Sequence, residues 1–414
     1  MKLALVMLAH DPAPRFHAHA PKVLHPLAGR PMLRYTLDLA HRLKAHPILV
    51  SAPQSEAALR AVAGEDVPCV TVPAAEGLAG ALHRALVRLE TPPDALIALP
   101  PDMPLLRVET LQALLEQRAS DAVPVLRLGT TPVFALGREA ALKCRTQELP
   151  ALEGWLKPFT EAPGAALTDD ALQLLRIETR VDLSRALQAL RIRINERWML
   201  TGVTLIDPAT TYIDVDVTIG PETVIAPNTH LRGATTIGEA CQIGPNTLIE
   251  SCTIGDRCKV LASVLEYAIM EDDSDIGPFG HLRKGARLCE GAHMGNFGEM
   301  KNSTLGPGAK MGHFSYLGDA EVGAGANIGA GTITCNYDGK RKHRTTIEEG
   351  AFIGSDTLLV APVTVGAHAK TGAGSVVTHD LPSGSLAYGV PARVKREGMN
   401  DTEEKHDDNP DDQA

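Results

Sequence analysis

Through the second half of this chain an aliphatic residue returns at every sixth position. It stands at Ile219, Ile225, Leu231, Ile237, Ile243 and Ile249, then at Ile276, Leu282, Leu288 and Met294, and again at Leu305, Met311 and Leu317. A last run passes through Ile347, Ile353, Leu359, Val365, Thr371 and Val377. A period of six suits neither an α-helix nor a flat strand, whose side chains repeat at 3.6 and 2.0. It is the period of a parallel β-helix, in which each six residues supply one short strand and one corner of a triangular prism. The aliphatic side chain points to the axis, and three sixes close a coil stacked about 4.8 Å from the next. Gly220, Gly238 and Gly244 follow inward residues and suit corners, where φ is often positive. Past Ile249 the period slips by a residue and resumes. Ile333 and Ile347 are fourteen apart instead of twelve, so residues 336 to 344, NYDGKRKHR, have to leave the prism wall.

A length of 414 residues and 44% hydrophobic content allow two or three domains with real cores, while the 4% aromatic content suits a core of stacked Ile, Val and Leu. The net charge of -10 is concentrated: residues 397 to 414 carry eight carboxylates against Lys405, so the body is near neutral. That argues against nonspecific nucleic-acid binding, and the polar tail is expected to be disordered. Seven scattered cysteines without C-x-x-C fit a reduced, cytoplasmic protein. No stretch approaches the roughly 20 apolar residues of a membrane helix. The opening apolar run ends at Ala9 before His10 and Asp11 with no small-residue cleavage site, as expected of a buried first strand rather than a signal peptide.

Residues 1 to 180 alternate short apolar runs (Leu3 to Leu8, Pro47 to Ser51, Cys69 to Val72, Ala95 to Leu99) with amphipathic ones at 31 to 44, 55 to 63, 77 to 90 and 109 to 118. The alternation predicts a Rossmann-like α/β domain, a parallel sheet covered by helices on both faces with its site at the carboxyl ends of the strands. A linker helix is expected over 181 to 202, with apolar positions 183, 187, 190 and 194 and Asp182 or Ser184 as cap. The repeat domain then occupies 203 to 396 and the acidic tail 397 to 414.

The stretch LAHDPAPRFHAHAPKVLHPLAGRPML resembles the opening of the sugar-nucleotidyltransferase fold, usually LAAGxGTRM followed by PKxLxxxxGxPM. Pro21, Lys22, Val23, Leu24, Gly29, Pro31 and Met32 keep the second half, and Arg15 keeps its place in the first. Where the family has a glycine-rich loop that meets the nucleotide phosphates through backbone N–H groups, this chain has His10, Asp11, Pro12, Ala13 and Pro14. Proline has no N–H, and Asp11 sets a carboxylate where phosphate would lie. The base-reading loop is reduced to Glu76-Gly77-Leu78-Ala79-Gly80-Ala81. The resemblance implies Asp102, in Pro101-Asp102-Met103-Pro104-Leu105, and Glu178, in place of the usual Asn, as Mg²⁺ ligands of any surviving site. For Lys22 and Asp102 the bland alternative is a solvated loop lysine and a turn aspartate. The domain is also several tens of residues shorter than that family's before Glu178.

Residues 203 to about 385 resemble the acetyltransferase half of the bifunctional GlmU family, N-acetylglucosamine-1-phosphate uridylyltransferase/glucosamine-1-phosphate N-acetyltransferase. EGAHMGNFGEMKNS, YLGDAEVGAGANIGAGTITCNYDG and FIGSDTLLVAPVTVG carry the match. The resemblance implies a left-handed β-helix and a homotrimer acting on small molecules. It also implies His313 as the base that frees the attacking amine, with Glu299 to orient or strengthen it. Arg283, Lys301, Tyr316, Asn327 and Lys342 match contacts to the phosphorylated amino sugar. Ala330, Asn336, Tyr337, Ser355 and Ala373 match acetyl-CoA positions, with Asn336 and Ser355 suited to holding the amine or the oxyanion. The family's basic residue in the C-terminal arm aligns near Val390, and Arg393 replaces it with a register shift. The expected activity is acetyl transfer to glucosamine-1-phosphate in the synthesis of the cell-envelope precursor UDP-N-acetylglucosamine, with a degenerate first domain. Alternatives are a fully bifunctional enzyme using UTP and Mg²⁺, another amino-sugar acceptor, or a non-catalytic scaffold.

Overall fold

The computed structural model describes residues 2–10, 14–73, 76–120 and 125–396, and the chain forms two compact units that divide at Arg191/Ile192. The acidic segment 397–414, expected to be disordered, lies outside the described residues.

In the first unit the strands are β1 (Leu3–Ala9), β2 (His46–Ser51), β3 (Cys69–Thr71), β4 (Ala95–Leu99), β5 (Val125–Arg127) and β6 (Phe134–Gly137), in sheet order β3-β2-β1-β4-β6-β5. The four expected strands are parallel to one another. The sheet is nonetheless mixed, because β6 runs antiparallel to β4 and to β5. In β1, Leu3, Leu5 and Met7 enter one core while Ala4, Val6 and Leu8 enter another. Burial on both sides is why the strand reads as an unbroken apolar run. The first core is closed by α1 (Met32–Arg42), α2 (Glu56–Ala63) and α4 (Val108–Ser120), through Leu33, Leu37, Leu59, Leu111 and Leu114. The second is closed by α3 (Gly77–Val87), α5 (Arg138–Thr146) and α6 (Leu149–Glu161), through Leu82, Leu86, Cys144 and Leu152.

The helix α7 (Arg180–Leu200) begins with a reciprocal cap: Asp182 Oδ2 accepts from the N–H and hydroxyl of Thr179, and the Thr179 hydroxyl accepts from the Asp182 N–H. Its buried stripe differs from the expected one, since Ala186 is buried and Leu187 exposed. Both positions lie near a line through 183, 190 and 194, and the smaller residue takes the inner place.

The second unit is the left-handed β-helix. Strands of two to four residues form three parallel sheets, here the first, second and third faces, which begin at Thr204–Leu205, Thr211–Ile213 and Thr218–Ile219. Ile243, Val260, Ile276, Met294 and Met311 stack on the first face, each almost fully buried. Each such side chain contributes about 1.5–3 kcal/mol of burial. The slip in the period is a shortening of whole coils: Ile249 pairs with Leu265 and Val260 with Ile276, sixteen residues apart, where Ile347 and Val365 are eighteen apart. Corners absorb the missing residues, and not only at glycine; Asn228, Asn246, Asn302 and Asp319 all have positive φ. Asn228 Nδ2 donates to Asn246 Oδ1 at 3.1 Å, so stacked side chains offset the cost of that backbone, about 1–2 kcal/mol per residue.

One inward position was misassigned. Ile333 is exposed, and Thr334, its neighbour, faces the axis between Leu317 and Leu359. The Thr334 hydroxyl accepts from Gly318 N at 2.7 Å and donates to Gly318 O at 3.0 Å, which satisfies it inside the prism. With this register Val322 pairs with Ile347 across 25 residues, so the excursion adds seven to an eighteen-residue coil.

The stacked corners leave unequal room for a β-carbon. One built on Gly295 would overlap the carbonyl oxygen of Gly312, whereas one on Gly312 meets nothing nearer than His293 Nε2 at 3.9 Å. Gly295→Ala is therefore expected to lower stability by about 1–3 kcal/mol and Gly312→Ala by much less, read as urea midpoints at matched concentration.

Candidate active site

At the corner joining the first face to the second, one local sequence recurs: an inward residue, a glycine, then a variable residue. The successive versions are Met311-Gly312-His313, Ile328-Gly329-Ala330, Ile353-Gly354-Ser355 and Thr371-Gly372-Ala373. Backbone bonds tie these turns together, from Gly331 N to Phe314 O, Asp356 N to Ala330 O and Gly374 N to Ser355 O. A β-carbon on Gly329 would lie 2.7 Å from Ser355 N, and one on Gly354 2.9 Å from Ala373 N, so glycine is what lets the turns stack this closely. The corner thus places His313, Ala330, Ser355 and Ala373 in one column, roughly 14 Å long at 4.8 Å per coil. His313 is exposed at one end. Towards the other, the antiparallel pair Leu386–Tyr388 and Arg393–Arg396 extends the first face, with exposed Arg393 opposite Tyr388.

The second face carries the next group. Glu299 and Tyr316 are lateral neighbours on adjacent strands, and Arg283 Nη1 donates to Glu299 Oε1 at 2.8 Å. No hydrogen bond joins Glu299 to His313 within the chain; the carboxylate is engaged by Arg283 instead. Lys301 ends the Glu299 strand, and Asn327 projects from the first face three residues before Ala330.

Past the far edge of the second face, the excursion is anchored on Asp319. Its Oδ2 accepts from Asn336 Nδ2 at 2.5 Å and lies 4.0 Å from Lys342 Nζ, while Oδ1 accepts from Asn302 Nδ2 at 2.6 Å. Gly318 makes room, since a β-carbon there would collide with Tyr316 Oη and lie 2.7 Å from Asn336 Nδ2. Within the loop Asp338 accepts from the N–H groups of Lys340 and Arg341 and pairs with the His343 ring, and these contacts hold its carboxyl at about 2. A carboxyl lowered in the fold adds order that is present above its unfolded value of 3.8 and lost as pH falls towards 2. Tyr337 is exposed and donates to Gly339 O. A cavity of about 280 Å³ opens beside the loop, lined by Asn302, Asp319, Glu321, Lys342 and Arg344 among others.

The expected residues therefore fall at the first-to-second corner, on the second face and past its far edge, with Asn327 on the first face. Asn336 and Ser355, expected to act together, do not meet within a single chain.

In the first unit, Leu8 to His10 at the end of β1, Ala52 after β2 and Asp102 beyond β4 help enclose a cavity of about 330 Å³, also lined by His19, Lys22 and Ser55. Lys22 and Asp102 are neither solvated nor loose: their side chains are 5% and 3% exposed, with Nζ 2.7 Å from Oδ2. Arg176 adds Nη2 to Oδ2 at 2.8 Å and Nε to Oδ1 at 3.3 Å. Glu178 Oε2 accepts from Arg15 at 3.0 Å, and Glu178 Oε1 lies 3.6 Å from Arg176 Nη1. Among the described residues, two carboxylates thus face three cations. This donor set does not suit Mg²⁺, which needs oxygen lone pairs that Lys22 and the two arginines already occupy. Among the described residues no group of three or more His, Cys, Asp or Glu could hold a metal ion. Asp11, Pro12 and Ala13 lie outside the described residues, and Pro14 opens a short 3₁₀ turn through Phe16.

Residues 5–161 match the MobA-like NTP transferase domain, 216–251 the bacterial transferase hexapeptide family, and 344–379 the hexapeptide repeat of succinyl-transferase. The chain matches the "Bifunctional protein GlmU" of Pelobacter propionicus at 38% identity over 448 aligned residues, covering 96% of this chain and 97% of that one. The chain belongs to the GlmU family. GlmU proteins of Thermotoga petrophila (38%) and Shouchella clausii (33%) match over 95% of this chain and 97% of their own. GlmU membership makes the chain a transferase, with an NTP-transferase-type first unit and a hexapeptide acyltransferase second unit. No helix among the described residues is long and apolar enough to cross a membrane.

Asp319 and Arg176 escaped the sequence reading of this GlmU chain. Asp319 stands in the quoted run YLGDAE, but a lone aspartate at a corner gives no sign that it anchors a loop seventeen residues on. Arg176 gives none either, two residues before Glu178. Losing a hydrogen bond to a charged group costs about 1.5–3 kcal/mol. Asp319→Ala is accordingly expected to speed tryptic cleavage after Lys340, Arg341, Lys342 or Arg344 by tenfold or more, read by mass spectrometry of timed digests.

Proposed function

We propose that the second unit transfers the acetyl group of acetyl-CoA to the amine of glucosamine-1-phosphate, giving N-acetylglucosamine-1-phosphate for UDP-N-acetylglucosamine synthesis. The observation that carries this reading is the corner column of His313, Ala330, Ser355 and Ala373. Ala330 and Ala373 are small, so a pantetheine arm can lie along the corner against backbone N–H and C=O groups. Arg393, towards the far end, meets the CoA phosphates. His313 takes a proton from the ammonium of the sugar, the freed nitrogen attacks the thioester carbonyl, and the tetrahedral intermediate collapses as its nitrogen sheds a second proton, which the departing CoA thiolate takes up. Ser355 or Asn336 donates to the oxyanion. Arg283, Lys301 and Lys342 bind the sugar phosphate, with Tyr316 and Asn327 on its hydroxyls.

The assembly we propose is a cytoplasmic homotrimer, in which one subunit's corner column meets a neighbour's second face and excursion. The separation of Ser355 from Asn336 within a chain supports this. So does the corner itself: on the coils before His313, Phe279 and Phe297 stack with centroids 5.1 Å apart while each is 59% exposed. Such an apolar strip suits burial against a partner.

Removing the base tests the mechanism. His313→Ala is expected to lower acetyl transfer by about 10²-fold or more, followed as thiol release, while light scattering still gives three chains. Wild-type turnover in that variant would move the proton transfer to another group.

For the first unit we propose that uridylyl transfer is lost and that the fold is kept for structure. The buried engagement of Asp102 supports this. So does the sequence: Pro12 and Pro14 each remove a donor, and two lost bonds to a charged group amount to roughly 3–6 kcal/mol, or about 10²- to 10⁴-fold. An alignment of 448 residues to a chain of 414 is consistent with a shortening. The second reading, a fully bifunctional enzyme, is favoured by the full-length likeness to proteins named bifunctional. Calorimetry with UTP and Mg²⁺ is expected to show little or no binding, and pyrophosphate release to stay at background in protein that is active in acetyl transfer. Micromolar UTP affinity with steady pyrophosphate release would restore the bifunctional reading.

A further inference from the structure

The guanidinium of Arg176 sits between the two carboxylates to which the family pattern assigns a metal. One nitrogen reaches Asp102 Oδ2 at 2.8 Å and another lies 3.6 Å from Glu178 Oε1, so a single cation spans both side chains as a divalent ion would. The Asp102 end is closed to water, with 3% of the side chain exposed, and Lys22 completes its neutralisation. Arginine keeps its charge at every accessible pH, so nothing in the cluster frees Asp102 near neutrality. A metal ion entering there would have to break these bonds and leave a guanidinium beside a dication in a poorly solvated position.

We propose that Arg176 is a built-in replacement for the divalent cation, which makes the cleft at the carboxyl ends of the first unit's strands a metal-independent site. Two things follow from the charge arrangement. Asp102 and Glu178 are already compensated by cationic side chains without Mg²⁺, and removing the Arg176 charge opens a cation site on these two carboxylates. The proposal deepens the reading of the first unit given above and does not depend on acetyl transfer.

The test is a Mn²⁺ titration of the full chain, followed by electron paramagnetic resonance of the free ion. The wild-type chain is expected to show no Mn²⁺ site that depends on Asp102, and Asp102→Asn to leave its titration unchanged. Arg176→Gly is expected to gain one site per chain, at least tenfold tighter than any wild-type binding, which the added change Asp102→Asn abolishes. Arg176→Lys keeps a cation and is expected to behave as wild type, a result that a merely structural role for the arginine would not give. Arg176→Gln, which keeps a neutral side chain over Asp102, carries the expectation for the loss of charge if glycine opens the fold. Either of two outcomes would overturn the proposal: a wild-type site lost on Asp102→Asn, or folded Arg176→Gly and Arg176→Gln chains that bind no Mn²⁺. A wild-type Mn²⁺ site lost on Asp102→Asn but without pyrophosphate release would overturn this proposal alone, whereas EDTA-sensitive pyrophosphate release would overturn it together with the reading of the first unit.

Discussion

Close stacking of one coil on the next is the constraint on which the second unit depends. A parallel ladder about 4.8 Å per rung leaves little room for side chains inside many corners, so glycine or a backbone in the left-handed region stands at most of the places where successive turns lie closest. Gly329 and Gly354 show the local cost of breaking the rule, since a β-carbon on either meets the backbone of the coil beyond. The same rule creates the candidate site. The inward residue and glycine recur at one corner of four consecutive coils, so the residues that follow, His313, Ala330, Ser355 and Ala373, fall in one column. The chemistry borrows its alignment from the backbone.

That origin explains what was legible in the sequence. The inward residues follow from periodicity, because burial selects one residue type at one spacing. The first unit's four parallel strands were equally readable, since burial on both faces leaves contiguous apolar runs. Strands Val125–Arg127 and Phe134–Gly137 were not; they are short, and the reversal of direction that makes the sheet mixed is a property of the connection rather than of the strand residues. Thr334 was missed for a related reason. A hydroxyl on the axis looks wrong in a hydrophobic count, and its two bonds to Gly318 come from a residue sixteen positions earlier. Polar partnerships across coils leave no period to read.

The excursion shows the same limit at the site itself. Its existence followed from an interval that was too long, but its anchoring did not, because Asp319 joins Asn302 of an earlier corner to Asn336 and Lys342 of the loop. The engagement of Glu299 by Arg283 was likewise invisible: two residues each read as facing a ligand face each other in the single chain. Both side chains are about 40% exposed, so that pair is weakly held, which suits the phosphate contact proposed for the guanidinium.

Burial separates that pair from the cluster in the first unit, although both join an arginine to an acidic side chain. At 3% exposure the Asp102 carboxylate cannot trade its partners for water, and removing one leaves a charge that the interior does not tolerate. An exposed pair on the β-helix opens at little cost; Lys22 and Asp102, buried and joined by an Arg176 side chain that is 27% exposed, are fixed for the opposite reason. The same two residue types thus yield an adaptable surface in one unit and a closed charge balance in the other, and the difference lies in access to water rather than in the identity of the side chains.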